Sequence, residues 1–177
     1  MDKDFEFQLR IEKNDDKSEQ VRAECRELCD LVDEQGYKHE LARYFNGEFE
    51  DFYVLATHGD DDKIIGAMAM NSSYDTAQGH LKRGNIYINA TVVAPEFQGR
   101  GVSRAMFNYL EEHLDGFKLM QTSVRAENEA SRRSREKQGF AVTREWESGE
   151  QKGVFMARPV EPTRATKRWE DAEPEMR

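Results

Sequence analysis

Asn85-Ile86-Tyr87-Ile88-Asn89-Ala90-Thr91-Val92-Val93-Ala94-Pro95-Glu96-Phe97-Gln98-Gly99-Arg100-Gly101-Val102-Ser103-Arg104 is the stretch that decides the fold. β-Branched and aromatic residues take six of its first nine positions, and the strand they form has to stop at Ala94-Pro95, because proline cannot donate to a ladder. A glycine-containing turn follows and runs directly into an amphipathic helix over residues 101–114, with Val102, Ala105, Met106, Tyr109, Leu110 and His113 on one side. The first amides of such a helix have no partner within it and lie at the positive end of its dipole. Gly99 and Gly101 take away the side chains that would keep an anion from those amides. Ser103 adds a hydroxyl, and Arg100 and Arg104 add positive charge. The turn suits a pyrophosphate or similar group. An ordinary tight strand–helix connection with glycine for geometry fits equally well, and the pattern alone leaves both open.

On either side of this stretch the chain alternates strands and helices. Residues 5–12 alternate strictly, as a half-buried strand does, and residues 14–18 break the pattern. Val21, Cys25, Leu28, Cys29 and Val32 recur at helical spacing behind Ser18, a candidate N-cap, and a shorter helix is expected over residues 38–45. Residues 52–57 and 64–70 read as a hairpin around the charged turn Gly59-Asp60-Asp61-Asp62-Lys63. After the helix at 101–114 come a strand at 118–124, a helix at 129–138 and strands at 140–146 and 154–158. Residues 161–177, with two prolines, alternating charge and one Trp, read as a charged C-terminal tail behind a domain spanning 1–160. The order β-αα-βββ-α-β-α-ββ is that of an α/β layer with helices covering a mixed sheet.

The chain has 177 residues, 37% of them apolar and 34% charged, which is the size and composition of one soluble globular domain. No apolar run approaches the ~20 residues of a membrane span, and no signal-peptide core opens the chain. Two cysteines make no disulfide framework, so a cytoplasmic location is expected. A net charge of −9 argues against nucleic-acid or anionic-membrane partners. That charge is uneven: residues 1–97 carry 11 basic and 21 acidic side chains, whereas 98–138 carry 8 and 6. The one stretch that leans basic begins at the glycine turn, which again points to an anionic ligand there.

Gln98-Gly99-Arg100-Gly101-Val102-Ser103 resembles the Q/R-x-x-G-x-G/A signature of the GNAT superfamily of N-acetyltransferases, with Ser103 departing mildly at the last small position. Asn128-Glu129-Ala130-Ser131-Arg132-Arg133-Ser134-Arg135-Glu136-Lys137-Gln138-Gly139-Phe140 resembles the second signature, in the N-x-A-S-x-R-x-x-E-K-x-G-F form of the branch that includes ribosomal-protein N-terminal acetyltransferases. The resemblance covers residues 5–160 and implies a GNAT-like, mostly antiparallel sheet, flanked by helices and splayed after the fourth strand, with acetyl-CoA in the cleft. It further implies that the Thr91 amide meets the thioester carbonyl as oxyanion donor, that Val92 and Val93 follow the pantetheine arm, and that Gln98, Gly99, Arg100, Gly101, Val102, Ser103 and Arg104 hold the pyrophosphate. Asn128 would contact the pantetheine and Ser131, a candidate catalytic residue, would lie near the thiol. The reaction implied is direct attack of a neutral primary amine on the thioester. Many members carry a Tyr general acid where this chain has Arg135, and a Glu base where it has Tyr87 or Ser123, so the proton-transfer groups stay unassigned. Arg135 reads as a solvated helix residue.

The remaining signals are bland. Cys25 and Cys29, four apart, read as small core residues, and no metal is expected. Arg125, Arg132, Arg133, Arg135 and Lys137 either reach the 3′-phosphate of CoA or form a charged helix face. Glu40, Glu48, Glu50 and Asp51 with Tyr37, Tyr44, Phe45, Phe49 and Phe52 either wall a groove for a cationic amine or solvate a helix pair over aromatics. The expectation is therefore an acetyl-CoA-dependent N-acetyltransferase acting on a small-molecule amine, a lysine or a protein N-terminus, as monomer or homodimer. The alternative is a catalytically silent acyl-CoA-binding module with a regulatory or scaffolding role.

Overall fold

Seven strands hydrogen-bond in the order β1-β2-β3-β6-β7-β9-β8: β1 Gln8–Lys13, β2 Phe52–His58, β3 Lys63–Asn71, β6 Asn85–Val93, β7 Leu119–Arg125, β8 Ala141–Ser148 and β9 Gln151–Pro159. Two-residue strands β4 (Asp75–Thr76) and β5 (Gly79–His80) pair separately, so the expected fourth strand is β6. The helices are α1 (Glu19–Asp33), α2 (Val102–His113) and α3 (Glu129–Lys137). This computed structural model describes residues 5–33, 41–48, 50–71, 75–76, 79–80, 85–113 and 119–159; the expected tail at 161–177 lies outside them. The chain divides into two compact units, Met1–Asn71 with Asn89–His113, and Ser72–Ile88 with Leu114–Arg177.

In the first unit β1 pairs antiparallel with β2, and β2 with β3. The β2–β3 turn is tight, closed by Asp62 N donating to Gly59 O at 3.2 Å, with Gly59 at φ +85°. Cys25, Leu28 and Cys29 of α1 pack on Tyr53, Leu55, Ala67, Ala69, Ala90 and Val92, each larger side chain contributing about 1.5–3 kcal/mol by burial. Burial pushes the Cys25 thiol well above its ordinary range, as suits an inert core residue. On the alternate face of β3, Gly66 lets α2 come close: a Cβ there would lie 3.0 Å from Val102 Cγ1 and 3.3 Å from Met106 Cε. The buried side of α2 is Val102, Met106, Phe107, Leu110 and Glu111, rotated from the expected stripe. His113 is instead exposed and stacked on Tyr109, its Nδ1 donating to Tyr109 O at 3.0 Å.

In the second unit the first half of β6 runs parallel to β7, from Asn85↔Leu119 to Ile88↔Thr122. The Thr122 hydroxyl donates to Ile88 O at 3.2 Å at the last rung, and both strands continue beyond it. β7 pairs antiparallel with β9, and β9 with edge strand β8. Helix α3 packs on β7.

Three further local expectations change. Phe5–Phe7 lie before β1 rather than in it, and the Phe5 ring packs on Phe7 and on Phe97 beside the glycine turn. Of the expected helix at 38–45, Leu41–Phe45 forms a 3₁₀ turn and 38–40 fall outside the described residues. Ser18 precedes α1 and its carbonyl accepts from Arg22 N at 2.9 Å, but its hydroxyl turns back to donate to Lys13 O at 2.9 Å, so it joins β1 to α1 instead of capping.

Candidate active site

The turn after β6 is built stepwise. Pro95–Phe97 forms a 3₁₀ turn, Phe97 N donates to Ala94 O at 2.9 Å, and Gln98 Nε2 reaches back to Val93 O at 3.0 Å. Gly99 follows at φ +76° and Gly101 at φ +86°, left-handed positions that L side chains rarely adopt. A Cβ on either would meet nothing within 4 Å, so the turn's surface is open on that side. The first bond of α2 runs from Ala105 N to Gly101 O at 3.0 Å, which leaves the amides of Val102, Ser103 and Arg104 ahead of the helical ladder. Thr91, Val92, Val93 and Gln98–Arg104 are thus brought together in one unit. Their side chains differ in what they can do. Val92 and Val102 are buried in the core and offer backbone only. Arg104 is exposed, and the Arg100 guanidinium carbon lies over the Phe5 ring, 4.4 Å from its centroid. The Thr91 hydroxyl is buried with no hydrogen-bond partner among the described residues, a feature the amide-centred reading of that residue passes over.

Asn128 and Ser131 meet in the second unit. Asn128 caps α3, its side-chain oxygen accepting from Ser131 N at 3.2 Å, and both residues are half-buried. Arg132 pairs with Glu136 at 3.1 Å and Arg133 with Glu129 at 3.4 Å, (i, i+4) contacts of an exposed helix face. Arg135 overturns its expectation: it is buried, not solvated, and burial lowers its pKa to about 10. The spacing of α3 carries this, since position 135 falls on the stripe facing β7, but a charged residue there reads as exposed until packing is seen.

The acidic and aromatic set also resolves in part. Glu50 is buried, accepting from the Tyr53 hydroxyl at 2.8 Å and Gly47 N at 2.6 Å. Burial and that carboxylate hold the Tyr53 phenol protonated. Phe45 is fully buried and stacks on Tyr53 at 5.9 Å. These residues organise the loop before β2 and do not line an open wall, while Glu48 is exposed. Tyr37, Glu40 and Phe49 lie outside the described residues.

Among known proteins, the model of the acetyltransferase (GNAT) family matches residues 19–140. A search of curated proteins gives no match. Similar solved structures include a GNAT-family protein from Desulfovibrio desulfuricans (TM-score 0.67, 17% identity, 88% of this chain and 99% of that one). The ribosomal-protein-S18-alanine N-acetyltransferase from Escherichia coli (0.59, 17%, 86% and 94%) and the NatC complex bound to Gag peptide and CoA (0.54, 16%, 86% and 99%) are also similar. At these identities the structures speak to the fold alone, which is the mostly antiparallel, helix-flanked sheet described above. The family model spans well over half of the sequence, including β6, the glycine turn and α3, and on that ground the chain belongs to the GNAT acetyltransferase family.

Proposed function

We propose that the protein transfers the acetyl group of acetyl-CoA to a primary amine by direct attack. The observation that carries this is the turn at Gly99 and Gly101: two left-handed glycines with open space where side chains would stand, leading into the amides that begin α2. Such a cradle fits a pyrophosphate, and in this reading Gln98–Arg104 hold that of acetyl-CoA. Thr91 supplies its amide to the oxyanion, Val92 and Val93 follow the pantetheine, and Asn128 and Ser131 serve its thiol end. The amine, having lost a proton to water, forms its bond to the carbonyl carbon; the C–S bond then breaks and the CoA thiolate leaves, taking up a proton. NatC, a structural relative, is seen with CoA and a peptide, which supports a protein N-terminus or lysine among the acceptors. Residues 1–160 form the catalytic region in this reading.

A second reading, an acyl-CoA-binding module without turnover, is favoured by Arg135, buried and charged at neutral pH where many family members hold a proton-donating Tyr. The two are separated by following thiol release from acetyl-CoA with a panel of peptide N-termini, lysine peptides and polyamines, beside calorimetric binding of acetyl-CoA. Release with any amine above the amine-free rate supports transfer; binding without release on every amine supports the silent module.

A further inference from the structure

Phe5, Phe97, His58 and Arg100 form one contiguous cluster at the glycine turn. Phe5 and Phe97 stack with centroids 5.3 Å apart and planes 19° off parallel, and the Arg100 guanidinium carbon lies 4.4 Å from the Phe5 centroid and 5.8 Å from that of Phe97. His58 closes the group, 5.4 Å from Phe5 and edge-on to Phe97 at 5.2 Å, while its Nδ1 donates to Glu6 O at 2.7 Å. A carbonyl only accepts, so Nδ1 carries the hydrogen. This bond ties the segment before β1 to the end of β2. Arg100 itself stands between two glycines, Gly99 and Gly101, whose backbones restrict it least. A long, flexible guanidinium at such a position loses rotamer freedom when it meets an anion, unless something has already fixed it. A cation held over an aromatic face by the ring quadrupole uses none of its N–H donors in that contact.

We propose that Phe5 and Phe97 are positioning residues for anion binding at this turn: they hold the Arg100 guanidinium in place, so that the segment preceding β1 sets the affinity of the turn for a pyrophosphate. This rests on the reading of the turn as the acetyl-CoA pyrophosphate site. It places Phe5, nearly a hundred residues away in sequence, in the binding apparatus. It also accounts for why Phe5 and Phe7 alternate like a strand and yet are not in one.

The test is calorimetry on the full chain with acetyl-CoA and, separately, inorganic pyrophosphate, alongside thermal melting. Phe5→Leu and Phe97→Leu keep apolar bulk but lose the π face, and each is expected to weaken both ligands about two- to fivefold, the range for a partly exposed cation–π contact. Phe5→Tyr, which keeps the π face, is expected to bind as the parent does. Arg100→Ala should weaken binding, and Phe5→Leu combined with Arg100→Ala should be no weaker than Arg100→Ala alone, because the aromatic acts through the guanidinium. Parent-like binding by Phe5→Leu, or losses that multiply in the double variant, would overturn the proposal. Pyrophosphate binding with this coupling but no acetyl-CoA binding by the parent would remove the acetyltransferase reading and keep the positioning role. Binding of neither ligand by the parent would remove both.

Discussion

The Ser131 amide donates to the Asn128 side chain at 3.2 Å, so the two second-motif residues proposed to meet the cofactor are also the pair that starts α3. A substitution that removes the Asn128 acceptor therefore touches stability as well as any binding role. Asn128→Ala should cost about 1 kcal/mol of unfolding free energy through the lost cap. Asn128→Asp keeps an acceptor for Ser131 N and should melt like the parent, yet bind acetyl-CoA more weakly if the carboxamide touches the pantetheine. Denaturant unfolding and calorimetry on both variants check this; parent-like affinity in Asn128→Asp would confine Asn128 to capping.

Gly101 at φ +86° and Gly149 at φ +61° are both left-handed, and neither would place a Cβ within 4 Å of a neighbour. Replacing either by Ala should therefore cost a similar ~1–2 kcal/mol of backbone strain. Only Gly101→Ala should weaken acetyl-CoA, because Gly149 sits in the β8–β9 turn. Equal affinities in the two variants would mean that Gly101 serves the turn's geometry alone.

What the sequence carries and what it withholds divide along physical lines. β6, the proline stop, the glycines and α2 are local: alternation, a missing donor and positive φ are written in neighbouring residues. The residues that surprise are those whose fate is set by distant packing. Arg135 lies on the buried stripe of α3 although its charge reads as solvent-facing. Phe5 alternates with Phe7, yet it packs against Phe97 rather than entering the sheet. Glu50 belongs to an acidic run, and a Tyr53 hydroxyl three residues on draws it inside. Leu41–Phe45 is too short to hold an α-helix without strong tertiary support and tightens to 3₁₀.

Burial lowers the Arg135 pKa to about 10, well below the ordinary range of a guanidinium, so the folded chain holds this proton less tightly than the unfolded chain does. The charge therefore opposes folding below about pH 10, and that opposition fades as the pH rises from there into the ordinary guanidinium range. Arg135→Met, which fills the same space, should be at least as stable as the parent at pH 7, with its margin narrowing at pH 11. Arg135→Ala should be about 2 kcal/mol less stable than Arg135→Met because it leaves a cavity. A guanidinium charged to about pH 10 is no proton donor in the neutral range, so Arg135→Met should keep the shape of the pH–rate profile below pH 9; a lost alkaline limb would give Arg135 a part in proton transfer.

Gly153 faces Trp146 across the β8–β9 ladder, and a Cβ at Gly153 would collide with the indole ring and with the Val124 carbonyl. Backbone cannot yield as a flexible side-chain end does, so Gly153→Ala should cost about 2 kcal/mol or more. Trp146→Leu in the same background should recover part of the loss by removing the ring. No recovery would assign the strain to Val124 alone.

Thr91 presents two groups with opposite expectations. Its hydroxyl is buried without a partner among the described residues, which costs stability, whereas its amide is the group proposed to meet the oxyanion. Thr91→Val keeps shape and amide and removes only the hydroxyl. It should unfold at an equal or higher denaturant concentration and keep the parent's kcat. Thr91→Ala, which loses a methyl as well, should be the less stable of the two. A hydroxyl that donates to the reacting carbonyl gives the reverse pattern: kcat falls in Thr91→Val by ten- to a thousandfold, on the scale of one lost oxyanion donor, while Thr91→Ser retains activity. Single-turnover acetyl transfer on Thr91→Val and Thr91→Ser therefore decides whether the side chain or only the backbone of this residue takes part, and the unpartnered hydroxyl acquires a purpose only in the second outcome.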